Sequence, residues 1–187
     1  AQWSLRMSIR KPLYTNLVAI SFLVSSLCSS ALAEERNTRA IMQWEGEGAI
    51  YNIGPSEVIF LGAFEGIMYF EGENGALDGA FVTCPSSQRL NIADATASAK
   101  GYCEITVNSD DVAYAEGTCE GIPGDCKGKF NLVSGHGLYE GISGSSDFRI
   151  RSIMGELITG MGNGSVMKVG KGIALLPNLV VTSKSNN

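Results

Sequence analysis

Glycine is the residue that most limits what this chain can fold into. Its 23 glycines begin at Gly46 and end at Gly172, at about twice the usual abundance of glycine in proteins. The segments between them are rich in β-branched and aromatic residues. A glycine inside a helix costs roughly 1 kcal/mol, whereas short strands joined by turns tolerate this spacing. The pattern therefore predicts an all-β chain of about eight short strands.

The longest predicted strand, residues 57–71, is apolar on both faces. Phe60 and Phe64 lie on one face, and Glu65 and Tyr69 lie on the other among further apolar residues. A strand that is apolar on both faces is usually buried on both. Of the two common all-β architectures, sandwich and barrel, this favours a closed antiparallel β-barrel of about eight strands, calycin-like, with something packed outside it.

Shorter strands are predicted on either side of this one. They cover residues 41–53, 79–84, 101–107, 112–119, 127–133, 147–153, 157–161, 165–173 and 179–182, the last entered through Pro177. Residues 85–100 lack glycine and are expected to contain an irregular excursion or a short helical turn. Residues 184–187 are expected to be a frayed C-terminal tail.

The N-terminal segment, residues 1–33, is predicted to be a secretory signal peptide and not part of the fold. Basic residues precede the apolar run 17–27, and Ala31-Leu32-Ala33 forms a small-x-small cleavage pattern. A membrane anchor is the alternative, but a span needs about 20 apolar residues and this run is shorter. Residues 34–187 are then expected to form a single domain located in the periplasm or secreted.

The same segment raises two further questions. Met7 is a candidate first residue, which would make residues 1–6 an upstream extension. A lipid anchor on Cys28 is disfavoured, because a lipobox has a small residue before the cysteine and Leu27 is not small.

The charge of the chain argues against nucleic-acid and membrane partners. Its net charge is −5 at pH 7, and removal of Arg6, Arg10 and Lys11 with the signal peptide would lower it to −8. An acidic surface repels nucleic acid and anionic membranes. No nucleic-acid partner is expected, and no membrane association is expected after signal cleavage.

Four cysteines follow the predicted signal peptide, an even number that indicates two disulfides in an exported chain. Three pairings are possible, and the preferred one joins Cys84 to Cys103 and Cys119 to Cys126. Zinc is disfavoured because it usually needs closely spaced cysteine pairs, and the chain has 1 histidine. No metal site is expected.

A glycine-framed pattern occupies residues 119–121, 126–130 and 135–144: Cys-Glu-Gly, Cys-Lys-Gly-Lys-Phe and Gly-His-Gly-Leu-Tyr-Glu-Gly-Ile-Ser-Gly. It resembles a strand and turn of small exported bacterial proteins in the allene oxide cyclase and dirigent superfamily. The resemblance is sharp over residues 115–150 and loose over 44–115. His136-Gly137-Leu138 departs from it, since threonine and lysine are more usual there.

The resemblance implies an eight-stranded antiparallel barrel with a central cavity. Members of the superfamily isomerise fatty-acid epoxides, steer radical coupling or catalyse cycloadditions, all without a cofactor, and they often form trimers. The matched motif belongs to the scaffold and so bears on the fold, not on activity. No catalytic residue is carried over from the family.

Glu65 and Tyr69 are the candidate catalytic residues. A carboxylate in an apolar cavity has a raised pKa and can act as an acid or base, and Tyr69 shares its face. The plainer interpretation is that this face points outward and Glu65 is solvated. Together with Phe60 and Phe64, they make up the expected ligand-binding set.

Other chemical patterns in the chain are weaker. Glu45 and Glu47 share a face and could form an acid/base pair, but the alternation is also that of a wet outer face. His136, the only histidine, would have to supply the base of any catalytic triad. No carboxylate has a sequence spacing that indicates it would orient this histidine. Asp110-Asp111 lacks the regular acidic ladder of an EF-hand. The glycine-rich loops have no strand–turn–helix context for phosphate binding.

The sequence therefore leads to three function hypotheses. The first is non-catalytic binding of a small apolar or amphipathic molecule in the barrel. The second is a cofactor-free isomerase or cyclase that uses Glu65 and Tyr69. The third is a structural or interaction protein whose barrel is filled by its own side chains.

Overall fold

The computed structural model describes residues 33–72, 77–153 and 167–184, all within the compact unit Ala31–Asn187. The predicted signal peptide, apart from Ala33, and the predicted strand 157–161 lie outside the described residues. The described strands are β1 (Ala33–Asn52), β2 (Glu57–Glu71), β3 (Leu77–Asn91), β4 (Thr96–Thr106), β5 (Val112–Ile122), β6 (Asp125–His136), β7 (Ser143–Ile153) and β8 (Met167–Lys184). A single 3₁₀ turn, Gly137–Tyr139, follows β6.

Each strand pairs antiparallel with the next, and β8 pairs antiparallel with β1. The result is a closed barrel in which consecutive strands are neighbours, so closure leaves neither β1 nor β8 as an open edge. This confirms the fold class predicted from the sequence. No helix in the described part of the chain is long and apolar enough to cross a membrane.

The first strand shows how the sequence pattern builds the barrel wall. Met42 and Trp44 are buried, while Gln43 and Glu45, each next to Trp44 in the strand, are exposed. Because side chains alternate across a strand, the apolar positions face the interior and the carboxylates face water.

Two glycines of β1 make room for aromatic rings of β2. A Cβ on Gly46 would lie 2.8 Å from the Phe64 ring, and a Cβ on Gly48 would overlap the Phe60 ring. Glycine at these positions lets both rings lie across the inner surface of the neighbouring strand. In the Glu-Gly-Glu-Gly segment of β1, the glutamates therefore lie on the outer face and the glycines leave the inner face without side chains.

The outer face of β2 differs from the expectation that something packs on it. Leu61 is 47% exposed and Tyr69 is 38% exposed. Within the described residues, the apolar character of this face does not come from burial, and the predicted outer cover is not found there.

A disulfide spans an interruption in the ladder between β3 and β4. The pairing runs to Thr83 and resumes at Ser86, since Pro85 has no N–H to donate. Between these points Cys84 and Cys103, with Cα atoms 4.1 Å apart, form a disulfide. The irregular excursion predicted for residues 85–100 is wrong, because β3 continues through the proline and β4 begins after a short turn.

The last strand is continuous where the sequence predicts two. The pairing of β8 with β1 shifts register between Thr38 and Ala40, opposite Pro177 and Asn178. A bulge relieves the proline of a ladder hydrogen bond. Pro177 is therefore accommodated inside one strand and does not separate two.

The glycine-rich stretch after β6 forms a corner of the barrel. Gly137 has φ +66° and Gly141 has φ +74°, backbone conformations that favour glycine. Ile142 is buried and directs the chain back into β7. The shape of this turn comes from its backbone, and His136 at its start is exposed.

Candidate functional site

The barrel interior contains a partly open cavity of about 100 Å³ to which all eight strands contribute. Its walls are mostly apolar and include both disulfides. The lining residues are Met42, Trp44, Phe64, Met68, Cys84, Ser86, Gln88, Ala99, Gly101, Cys103, Gly117, Cys119, Cys126, Phe130, Phe148, Ile150, Ser152, Gly170, Ala174 and Leu176, with Lys100, Gly124 and Asp125.

Two pairs of aromatic rings line the cavity. The Trp44 and Phe64 rings meet edge to face with centroids 4.9 Å apart, and Phe130 and Phe148 form a second such pair at 6.5 Å. Edge-to-face pairs of this kind are favourable beyond their buried area. The two pairs therefore hold the aromatic wall in a defined arrangement.

Small residues also line the cavity. Gly101 of β4 lies directly opposite Gly117 of β5, and Ala99 and Ala174 also line the space. A Cβ on Gly101 would overlap the Ser86 side chain, so that space is already filled, whereas a Cβ on Gly117 would make only ordinary van der Waals contacts. The open part of this wall is therefore at Gly117.

Both predicted disulfides are present, and both line the cavity. Cys84 pairs with Cys103 and Cys119 pairs with Cys126, as preferred from the sequence. Three of these four cysteines are buried, which places the cross-links inside the barrel wall.

Few polar side chains reach the cavity. Ser86 donates a hydrogen bond to the Cys84 carbonyl oxygen at 3.0 Å, and the half-buried Gln88 and Ser152 also line the space. The indole Nε1 of Trp44 is buried and has no hydrogen-bond partner within the described residues. The lining therefore offers a small number of neutral polar groups.

The two charged lining residues, Asp125 and Lys100, have their charged groups paired or exposed outside the cavity. The Asp125 carboxylate accepts hydrogen bonds from the Arg149 guanidinium, at 2.8 Å from Nε, and this interaction holds the pKa of Asp125 below its usual range. Lys100 is exposed, with its Nζ 5.1 Å from the centroid of the exposed Tyr102 ring. Neither residue gives the cavity an uncompensated charge.

The structure separates the four predicted ligand-binding residues. Phe64 lines the cavity, and Phe60 faces inward but is 1% exposed and belongs to a smaller cluster with Ile50 and Leu90. Glu65 and Tyr69 lie on the outer face. Because neighbours on a strand point to opposite sides, inward Phe64 places Glu65 outside, so the idea that Glu65 and Tyr69 work inside the cavity is corrected.

The remaining candidates have ordinary surroundings on the surface. Glu45 and Glu47 are exposed on the outer face, and Glu45 lies opposite Glu65 in the β1–β2 ladder. The His136 ring is near Tyr114, with centroids 6.0 Å apart. The Asp111 carboxylate accepts hydrogen bonds from Leu138 and Asn108. Each of these residues is explained by the local structure.

Sequence reasoning missed most of the cavity wall. The alternation in β1 could have identified Trp44, since its neighbours in the strand are charged or polar. Gly101 and Gly117 become partners only through the register of β4 against β5. Phe130 and Phe148 likewise meet only because β6 pairs with β7, and no local signal reveals either pair.

Fold and cavity together define the class to which the chain belongs: a small up-and-down β-barrel with an apolar, disulfide-lined interior. Comparisons with protein-family models, curated proteins and solved structures find no match to this chain. Its function is therefore argued from the cavity itself.

Proposed function

We propose that this protein binds a small, neutral, largely apolar molecule inside its barrel. The observation that carries the proposal is Gly117, which faces the cavity although its backbone does not require glycine. Its φ lies outside the left-handed region, and a Cβ there would lie 3.6 Å from Cζ of Phe148, an ordinary van der Waals contact. An alanine would fit at this position and would begin to fill the space.

Stability alone favours a filled barrel. Glycine inside a strand destabilises it by roughly 0.5–1 kcal/mol relative to alanine, and empty space in a core costs further free energy through lost contacts. A protein whose barrel served only as a scaffold would gain from a larger residue at position 117. The open wall therefore supports binding over the hypothesis of a filled structural barrel.

The size of the cavity limits the ligand. An apolar cavity of about 150 Å³ in a protein core can hold benzene, and drug-sized ligands use pockets of about 300–1,000 Å³. At about 100 Å³, this space suits a single small ring or a short branched chain. A long fatty-acid chain exceeds it.

The lining also limits the charge of the ligand. Burial of an ionised group requires a partner that compensates for lost hydration, and the charges of Lys100 and Asp125 are directed outside. The proposed ligand is therefore neutral. The cyclase hypothesis loses the support of Glu65 and Tyr69, and no other observation favours it.

The proposed place of action is the periplasm or the exterior of the cell. Disulfides persist in oxidising compartments, and both cysteine pairs of the barrel are joined. This agrees with the predicted signal peptide. The trimer implied by the family resemblance stays a prediction.

Binding can be tested with benzene and toluene, followed by the rise in melting temperature and by calorimetry. Gly117→Val, which places its side chain in the cavity, is expected to weaken binding at least tenfold. Gly79→Val is the matched control, because Gly79 is an exposed strand glycine whose Cβ would lie 3.8 Å from the nearest side chains. Equal weakening by both variants, or binding of neither compound to the wild type, would overturn the proposal.

A further inference from the structure

We infer that the ligand carries a group that accepts a hydrogen bond from the indole N–H of Trp44. This inference rests on the proposed binding and names the chemistry of the molecule bound. Trp44 lines the cavity and is 8% exposed. Its Nε1 has no hydrogen-bond partner within the described residues.

An unpaired donor in this position is unusual. Most buried polar side-chain atoms have a hydrogen-bond partner, and a buried tryptophan N–H normally finds one. Loss of hydration without a replacement hydrogen bond is unfavourable. Phenylalanine would fill much of the same space without that cost, so the retained N–H calls for a partner that the chain itself does not supply.

The neighbours of Trp44 in the sheet explain why no partner is at hand. In the ladder, Trp44 lies between Gly66 of β2 and Gly172 of β8. Neither has a side chain, and a Cβ on Gly172 would come within 2.7 Å of Cζ2 of Trp44. The indole therefore occupies space that a side chain on Gly172 would take.

The nearest aromatic neighbour does not replace a true acceptor. The Phe64 ring meets Trp44 edge to face, and an aromatic face is only a weak acceptor. The wall around the indole is otherwise apolar, with Met42 and Leu176 among the lining residues. An acceptor held by a ligand in the cavity would be the stronger partner.

These features define a chemical class for the ligand. It has an apolar body of about the size of one small ring and one neutral oxygen acceptor, as in a ketone, aldehyde, ester or ether. A carboxylate is disfavoured because its charge would be buried without a cation. A pure hydrocarbon fits the space but leaves the indole N–H unpaired.

Two compounds of nearly equal shape test the inference: cyclopentanone, which carries a carbonyl oxygen, and methylenecyclopentane, which has a CH₂ group in its place. Calorimetry with the full chain gives the ratio of their affinities in the wild type and in Trp44→Phe. If cyclopentanone accepts a hydrogen bond from the indole, its affinity relative to that of methylenecyclopentane should be about tenfold lower in Trp44→Phe than in the wild type. Retained binding of methylenecyclopentane shows that the variant is folded.

The indole N–H proton gives a second readout that does not depend on affinity. Its NMR signal, assigned by its loss in Trp44→Phe, should move downfield with cyclopentanone and much less with methylenecyclopentane. If both compounds bind but the ratio changes less than twofold and the proton does not move, the inference is overturned while cavity binding stands. If neither compound binds the wild type, the proposed function fails and the inference fails with it.

Discussion

The Asp111 carboxylate accepts the backbone N–H of Leu138 at 2.7 Å, across 27 positions in the chain. This bond joins the loop between β4 and β5 to the 3₁₀ turn after β6. Asn108 donates to the other carboxylate oxygen at 2.6 Å. Two neighbouring connections at one end of the barrel are thus held together by a single side chain.

Removal of this carboxylate should make stability less sensitive to acid. The hydrogen bond from Leu138, followed by that from Asn108, lowers the pKa of Asp111 below its usual range. A lowered folded-state pKa contributes stability above the unfolded pKa and loses it as pH falls through the folded value. Asp111→Ala should therefore cost stability at pH 6, and its deficit against the wild type should shrink below about pH 4.

Urea denaturation at pH 6 and pH 2.5 measures both deficits. Asp110→Ala is the control, since it removes an exposed neighbouring carboxylate and keeps both hydrogen bonds of Asp111. It should change the free energy of unfolding by less than about 0.5 kcal/mol at pH 6. An Asp111→Ala deficit of the same size at both pH values would contradict the assignment.

Gly137 should tolerate no side chain. At φ +66° a residue with a Cβ is strained by roughly 1–2 kcal/mol, and the added Cβ would overlap the Asp110 carbonyl oxygen. Gly137→Ala is therefore expected to lower the free energy of unfolding by about 1–3 kcal/mol. Leu138→Ala, at the next and largely exposed position, should change it by less than about 0.5 kcal/mol, and a similar loss in both variants would refute the backbone explanation.

The two disulfides should contribute unequally. Cys84–Cys103 closes a separation of 19 residues and Cys119–Cys126 one of 7. In the chain-entropy model these correspond to about 3.3 and 2.5 kcal/mol. Paired replacement by alanine, with unfolding followed in guanidinium, should destabilise the barrel more for Cys84 and Cys103. The reverse order would show that local packing outweighs loop closure.

Two interior glycines should respond to alanine in opposite directions. Gly117→Ala is expected to raise the free energy of unfolding by roughly 0.5–1 kcal/mol, because it removes a strand glycine and fills part of the cavity. At Gly128 the added Cβ would overlap the Thr118 carbonyl oxygen, so Gly128→Ala should cost about 1–3 kcal/mol. If Gly117→Ala instead lowers the free energy of unfolding, the main support for a cavity that is kept open for a ligand is lost.

Several features of the fold could be predicted from local patterns. Residues 57–71 form β2 with the predicted bounds, since a long alternating run without proline has few alternatives to a strand. The preferred cysteine pairing is present for a related reason: short separations between cysteines on adjacent strands bring them together with little loss of chain entropy. The absence of glycine from residues 85–100 misled the prediction, because β3 runs on to Asn91 and β4 begins at Thr96 without a glycine at the turn.

The candidate site was less accessible to sequence reasoning. The alternation along β2 shows that Phe64 shares a face with Met68 and that Glu65 shares the other with Tyr69. Both faces are apolar enough to be interior, so the pattern could not decide between them. The neighbouring strand β1 decides which face of β2 is interior, because Gly46 and Gly48 leave room for aromatic rings on the inner side.

The sequence by itself determined that this chain is a disulfide-containing all-β protein, because glycine spacing, alternation and cysteine number act over short distances. Only the tertiary structure decided which face of each strand is inside and where the cavity lies. That cavity is lined by Gly117, which pairs with Gly101 on one side and Phe130 on the other, and by Trp44, which lies between Gly66 and Gly172. Such relationships arise from strand register and barrel closure, which join residues far apart in the chain.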